Sequence, residues 1–295
     1  MDRKYRKPIR FLVAFAVCVT LLAAATAQVV SAKQQNLIDS NESTAARREL
    51  RQVEPLQQAF RSASLRLHPL DDKASGRNNI IIGFVGGFVT SNDSKHPEVQ
   101  FAELLRKSYP PNVHAEVFAN HNGKKALRRV LQLLDSNGDG VITAGEKEQA
   151  NIIIYGHSWG ASQTVALARA LGQQDIPVLL TIQVDSVRKP GQQDSIIPPN
   201  VINAVNFYQN RGLIHGSSSI RAADPERTQI IGNFQMSYRN RRVNCENYPW
   251  LARHLNKPHH EIENDPNVWN FIASQIDLEL LKTTPISPLS SASMH

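Results

Sequence analysis

A serine with a glycine two residues to either side, Gly156-His157-Ser158-Trp159-Gly160, stands between the apolar run Asn151–Tyr155 and the helical run Ala161–Leu171. A strand that turns sharply into a helix holds the residue at its apex in strained backbone geometry, and only small neighbours let the two elements approach. Gly156 and Gly160 meet that need, so the spacing predicts a raised Ser158 hydroxyl. Such a hydroxyl becomes a nucleophile only when a base takes its proton, and the base needs an acid to fix its tautomer. Both partners are sought after later strands, in the order serine, acid, histidine. The next apolar run, Val178–Val184, ends at Asp185, whereas Val201–Phe207 leads into Tyr208-Gln209-Asn210, which offers no carboxylate. Asp185 is therefore the expected acid, and Asp194 and Asp224 read as solvated charges or turn formers. His254, His259 and His260 all follow the last strand-like run, Thr228–Phe234. The loop before Asp265-Pro266 favours the His259-His260 pair, with His259 the expected base and His260 and His254 the alternatives.

Acyl transfer through a serine also needs donors for the oxyanion. The backbone N–H of Trp159 is one. The run Gly83-Phe84-Val85-Gly86-Gly87-Phe88 supplies the other: Val85 is the expected donor, with Gly86 and Gly87 left open. Zinc chemistry on the late histidines is not expected, because the sequence holds no HExxH or CxxC arrangement.

A second motif calls for different chemistry. In the twelve residues from Asp135 to Glu146, Asp135, Asn137 and Asp139 offer oxygens at alternate positions and Gly140 permits a sharp bend. Val141 offers its carbonyl, Thr143 could act through water, and Glu146 closes the set with a carboxylate. This pattern resembles an EF-hand calcium loop. Only Lys147 to Ala150 separate it from the next strand, so the outgoing helix is cut short and the expected role is a structural clip. No organic cofactor is expected.

The stretch Ile80–Ile276 resembles the α/β-hydrolase superfamily, in its lipase and esterase branch, on the Gly-rich loop, the GHSWG turn, Asp185 and a late histidine. His259 through Pro266 is also similar to a His-x-x-Ile-x-x-Asp-Pro segment of lipase-like members. The oxyanion loop departs from the family in lacking a His-Gly pair, and the acid follows the strand immediately after the serine strand, as in only some members. The resemblance implies an acyl-enzyme route on small-molecule or lipid carboxylic esters, with transient contact at a lipid surface. The reading from a different class is a calcium-binding interaction protein on an inactive scaffold of this kind.

These residues need a frame that brings them together. Continuous apolar runs at Ile80–Val85, His114–Phe118, Asn151–Tyr155, Val178–Val184, Val201–Phe207 and Thr228–Phe234 alternate with helical stretches at Val99–Ser108, Lys125–Leu134 and Ala161–Leu171. A last helix starts at Asp265-Pro266, with an apolar face from Val268 to Ile276. Apolar strands alternating with helices predict an α/β class, a mostly parallel sheet with helices on both faces, and chemistry at the carboxyl ends of the strands.

The expected organisation is a leader at 1–27, a polar linker or arm at 28–78, the folded domain at 79–284 and a tail at 285–295. The leader has a cationic start, an apolar run from Phe11 to Ala25 and a small-x-small site ending at Ala27, the marks of a cleaved export signal. Val30-Ser31-Ala32 is the second choice for the cleavage site, and a retained anchor is the alternative to cleavage. That segment carries four of the seven net positive charges of the 295 residues. The remainder keeps only short basic clusters such as Arg239-Asn240-Arg241-Arg242, which argues against a nucleic-acid partner. If Cys18 leaves with the leader, no intrachain disulfide is possible for Cys245 and the fold rests on its core.

Overall fold

The computed structural model describes residues 77–246, 248, 250, 254 and 256–283. The expected leader, most of the polar arm and the C-terminal tail lie outside the described residues. The elements run β1 (Asn78–Val85), α1 (Pro97–Ser108), β2 (Val113–Ala119), α2 (Gly123–Leu134), α3 (Ala144–Glu148) and β3 (Ala150–His157). Then follow α4 (Trp159–Gly172), β4 (Val178–Val184), β5 (Ile196–Ile197), β6 (Val201–Tyr208), β7 (Arg221–Ala222), β8 (Gln229–Gln235), α5 (Lys257–Glu263) and α6 (Pro266–Thr283).

Six strands form one sheet in the order β2-β1-β3-β4-β6-β8, and every neighbouring pair is parallel. The continuous apolar runs of the sequence are the reason. Ile80, Ile81 and Ile82 are all fully buried, so β1 faces helices on both sides, as β-branched residues in a doubly covered strand should. The alternation of side chains sorts them into two cores. Ile81 packs with Phe101 and Leu105 of α1 and with Trp269 and Ile272 of α6. Ile80 and Ile82 pack on the other face with Val130 and Leu134 of α2 and Val165 and Leu171 of α4.

This topology chooses the place of the site. From β1 the chain crosses to β2 on one side, and from β3 it crosses to β4 on the other. The crevice between the carboxyl ends of β1 and β3 is therefore the switch point where parallel sheets bind ligands. The Gly-rich run after β1 and the Ser158 turn after β3 both open there.

Three details differ from the sequence reading. The helix α5 carries His259, where a loop was expected; Pro258 near its start is compatible with a first helical turn. The small sheet of β5 and β7 was not expected, because each strand has two residues and is too short for any period to be read. The helix expected to be cut short after loop 135–146 is short: α3 ends at Glu148 and is opened by a Thr143–Glu146 capping box. Among the described residues, no helix is long and apolar enough to cross a membrane.

Candidate active site

Ser158 caps the N-terminus of α4 with φ 56° and ψ −124°, a backbone conformation that L-residues seldom adopt. Its two glycines are required by backbone contact. A Cβ on Gly156 would lie 2.6 Å from the carbonyl carbon of Gly160, and one on Gly160 would lie 2.3 Å from the carbonyl oxygen of Phe84. The turn is also tied to the next strand. Ser158 donates its N–H to the Val184 carbonyl at 3.0 Å, and its own carbonyl accepts from the Val187 N–H at 3.2 Å.

His259 reaches this serine from α5, with Nε2 2.9 Å from the Ser158 Oγ. Its other nitrogen, Nδ1, donates to Asp185 Oδ2 at 2.6 Å. A proton fixed on Nδ1 leaves the Nε2 lone pair free to accept from the serine hydroxyl. Ser158, His259 and Asp185 are all buried, so water competes little for these bonds. Of the alternative bases, His260 lies beside Tyr248, with ring centroids 3.9 Å apart, and the exposed His254 donates from Nδ1 to the Trp250 carbonyl at 3.0 Å.

Asp185 follows β4 directly, at φ 44°. Its Oδ1 accepts from the Gly216 N–H at 2.7 Å, and its Oδ2 accepts from Gln209 Nε2 at 2.8 Å as well as from His259. Gly216 must be glycine for this approach, since a Cβ there would stand 2.5 Å from the Asp185 carbonyl carbon. Burial pushes the carboxyl up, but the hydrogen bond and charge of His259, with the bonds from Gln209 and Gly216, hold it below the ordinary aspartate value. The sequence pattern gives Gln209 no role, because an amide cannot serve as the acid expected after a strand. The signal was its position: it is the first residue after a strand adjacent to β4.

Trp159 is the first residue of α4, so its N–H lacks an intrahelical acceptor and sits at the positive end of the helix. Val85 ends β1, and a Cβ on the next residue, Gly86, would be 3.0 Å from the Ser158 Cβ. The Val85–Gly86 step thus closes the crevice beside the serine. Phe88 is 81% exposed and meets Trp159 edge to face, with centroids 5.5 Å apart, which gives the crevice an apolar lip.

Asp194 corrects an expectation. It is buried, not solvated, and its carboxylate accepts from Ser186 Oγ at 2.7 Å, a partner that sequence pattern does not reveal. Asp224 is the expected turn former and accepts from the Glu226 N–H at 3.0 Å.

Behind His259 lies a polar group that the sequence pattern does not mark. The His157 ring packs 4.5 Å from the His259 ring, and burial pushes His157 down to about 3. Glu263 accepts from His96 Nδ1 at 2.8 Å. Burial alone would lower His96, but that bond and the Glu263 charge raise it to about 9. Glu98 is fully buried, and burial with the neighbouring Glu263 charge raises it to about 8.

In loop 135–146 the Asp135 carboxylate accepts from the Gly138, Asp139 and Gly140 amides at 2.8, 3.1 and 2.8 Å. The Asn137 side chain donates to Asp139 at 2.9 Å, and Gly138 and Gly140 take φ of 72° and 80° to make the bend. Oxygens of Asp135, Asn137 and Asp139 thus share one loop, a hard donor set that fits calcium. Val141 is exposed and donates its N–H to Asp139 at 2.8 Å. Glu146 accepts from Thr143 and Ser136, bonds that lower its carboxyl to about 2. Among the described residues, the carboxylates of Asp135, Asp139 and Glu146 do not gather within 4.8 Å as the donors of His96, Glu98 and Glu263 do.

A parallel sheet with a serine turn at its switch point, and with Ser158, Asp185 and His259 in that order along the chain, completes the frame. The fold is an α/β-hydrolase fold. No protein-family model matches the chain, and no curated protein does. Among solved structures, it is similar to a cutinase-like protein from Cryptococcus sp., at 11% identity over 73% of this chain and 100% of that one, with a TM-score of 0.37. It is similar to an arylesterase at 8% identity over 85% and 97% of the two chains, with a TM-score of 0.36. A third likeness is to a dienelactone hydrolase-like promiscuous phosphotriesterase from metagenomic libraries, at 14% identity over 70% and 89%, with a TM-score of 0.34.

Proposed function

We propose that this α/β-hydrolase is an exported serine hydrolase that cleaves carboxylic esters through an acyl-enzyme. The observation that carries the reading is the chain of contacts from Ser158 Oγ to His259 at 2.9 Å and from His259 to Asp185 at 2.6 Å, built on a strained serine.

In this mechanism Ser158 Oγ attacks the ester carbonyl carbon as its proton passes to His259 Nε2. Asp185 keeps the imidazole oriented and offsets the charge it gains. The N–H groups of Trp159 and Val85 hold the oxyanion. The intermediate collapses by breaking the bond to the alcohol oxygen, which leaves with the proton from Nε2. Water then repeats the sequence on the acyl-enzyme and releases the acid. The apolar lip of Phe88 and Trp159 supports an acyl or alcohol part that is apolar, as in a lipid ester.

Loop 135–146 belongs to the same proposal as a calcium clip. Asp135, Asn137, Asp139, the Val141 carbonyl and Glu146 would hold the ion. Calcium would supply a crosslink that steadies the crossover from α2 into β3, with a dissociation constant of ~0.1 to 1 mM if the site matches extracellular modules.

A fluorophosphonate probe tests the nucleophile. Wild-type protein should be labelled and Ser158→Ala should not. Equal labelling of both, or of neither, would leave an inactive scaffold as the better account. A p-nitrophenyl ester series of rising chain length then reads the acyl preference.

A further inference from the structure

We infer that His96, Glu98 and Glu263 form a buried binding site for one divalent transition-metal ion of the zinc class, with His157 as a fourth donor. The site lies behind His259 and is separate from the calcium loop.

The elements that carry these residues are rigid. His96 caps α1, Glu98 lies in the first turn of α1, His157 ends β3 and Glu263 ends α5. One donor atom from each of His96, Glu98 and Glu263 lies within 4.8 Å of the other two. Within that group His96 Nδ1 stands 2.8 Å from Glu263 Oε1; just outside it, His157 Nδ1 stands 3.3 Å from Glu263 Oε2 and 3.7 Å from Glu98 Oε1. A tetrahedral zinc ion, with bonds of about 2.0 to 2.1 Å, holds its donors roughly 3.3 Å apart. These three spacings straddle that value, and the His157 ring, which lies outside the group of donors within 4.8 Å of one another, has to turn inward to complete the shell. The hydrogen bond from His96 to Glu263 would be exchanged for two bonds to the ion.

Charge and satisfaction point the same way. Glu98 and Glu263 are 0% and 3% exposed, two carboxyl groups facing each other out of water. Both oxygens of Glu98 have no hydrogen-bond partner among the described residues. A buried carboxylate left unpartnered is costly, and native structures avoid it. One divalent cation neutralises both carboxylates and gives the Glu98 oxygens a ligand. Imidazole nitrogens mixed with carboxylate oxygens suit zinc, cobalt or manganese rather than calcium or magnesium, which take oxygen alone. The ion would act as a support: it fixes His157, whose ring packs against His259.

The test uses the untagged full chain, stripped with a chelator, dialysed, and kept in calcium so that the loop is filled. Zn2+ and Co2+ are titrated separately, with uptake read by calorimetry, by metal analysis and by the visible spectrum of the cobalt form. One ion per chain, a four-coordinate cobalt spectrum and a raised Tm are expected. Glu98→Gln should weaken zinc binding by more than about 100-fold, beyond what loss of an outer-shell partner costs, while Asp135→Asn leaves it unchanged. If Glu98→Gln does not fold, His96→Gln is read in the same way. Wild type that takes up neither ion, or a Glu98→Gln variant that binds as tightly as wild type, overturns the site. In the first case, a Glu98→Gln variant more stable than wild type would identify a carboxyl pair that shares a proton.

Discussion

Loop 135–146 draws its oxygens from twelve consecutive residues and leaves most of them in solvent, whereas His96, Glu98, His157 and Glu263 come from three separate segments and are largely buried. The contrast decides what each region can tolerate. In the loop, backbone amides and side-chain hydroxyls already serve the Asp135 and Glu146 carboxylates, so the crossover is held whether or not a cation joins it. In the buried group, the Glu98 oxygens have no such partner among the described residues, and the burden falls on charge compensation. The contacts of Ser158, His259 and Asp185 are built in the second manner, from distant segments out of water. Activity should therefore depend on the buried region and stability adjustments on the exposed one.

The largest effect expected is on turnover. Ser158→Ala should lower kcat by about 10^4-fold or more and Asp185→Asn by roughly 10^4-fold, with folding retained in both by circular dichroism. A loop substitution with an equal loss of kcat under saturating calcium would break the division between the regions. Next comes backbone fit. Gly160→Ala puts a methyl against the Phe84 carbonyl, and should cost about 1 to 3 kcal/mol in denaturant unfolding.

A third effect concerns pH. Asp185 is held below its ordinary value, so its stabilising share is complete above the unfolded value of about 3.9 and is lost as pH falls through the lower folded value. Gln209→Ala removes one of the bonds that lower it, so this loss should begin at a higher pH in urea melts, with a cost near neutrality of about 1 to 3 kcal/mol. The smallest effect sharpens the other side. Calcium at about 10 mM should stabilise the wild type by about 1.4 to 2.7 kcal/mol, given the affinity proposed, and Glu146→Gln should abolish that increment and also lower the calcium-free Tm, because its carboxylate accepts from Thr143 and Ser136. Melting curves that ignore calcium and chelator alike would remove the clip.

What was legible in the sequence follows the same line. Ser158 and its glycines are a local constraint, and five consecutive residues state it. Asp185 was legible because a strand end in a parallel sheet points its next residue toward the crevice. His259 was singled out by its place before Asp265-Pro266, although the helix that carries it was not foreseen. Gln209 and Gly216 escaped because they serve the acid rather than the reaction. His96 and Glu263 are 167 residues apart, and no spacing rule joins residues whose meeting depends on how α1 and α5 pack.

The backbone bonds between the Ser158 turn and the end of β4 have one more consequence. They weld oxygen and carboxylate into a single stiff piece, since Asp185 directly follows the Val184 carbonyl that Ser158 grips. The imidazole alone arrives on a separate, seven-residue helix. Any influence that tilts that short rod would part His259 from Ser158 and Asp185 like a clutch, and let it re-engage without disturbing the other two.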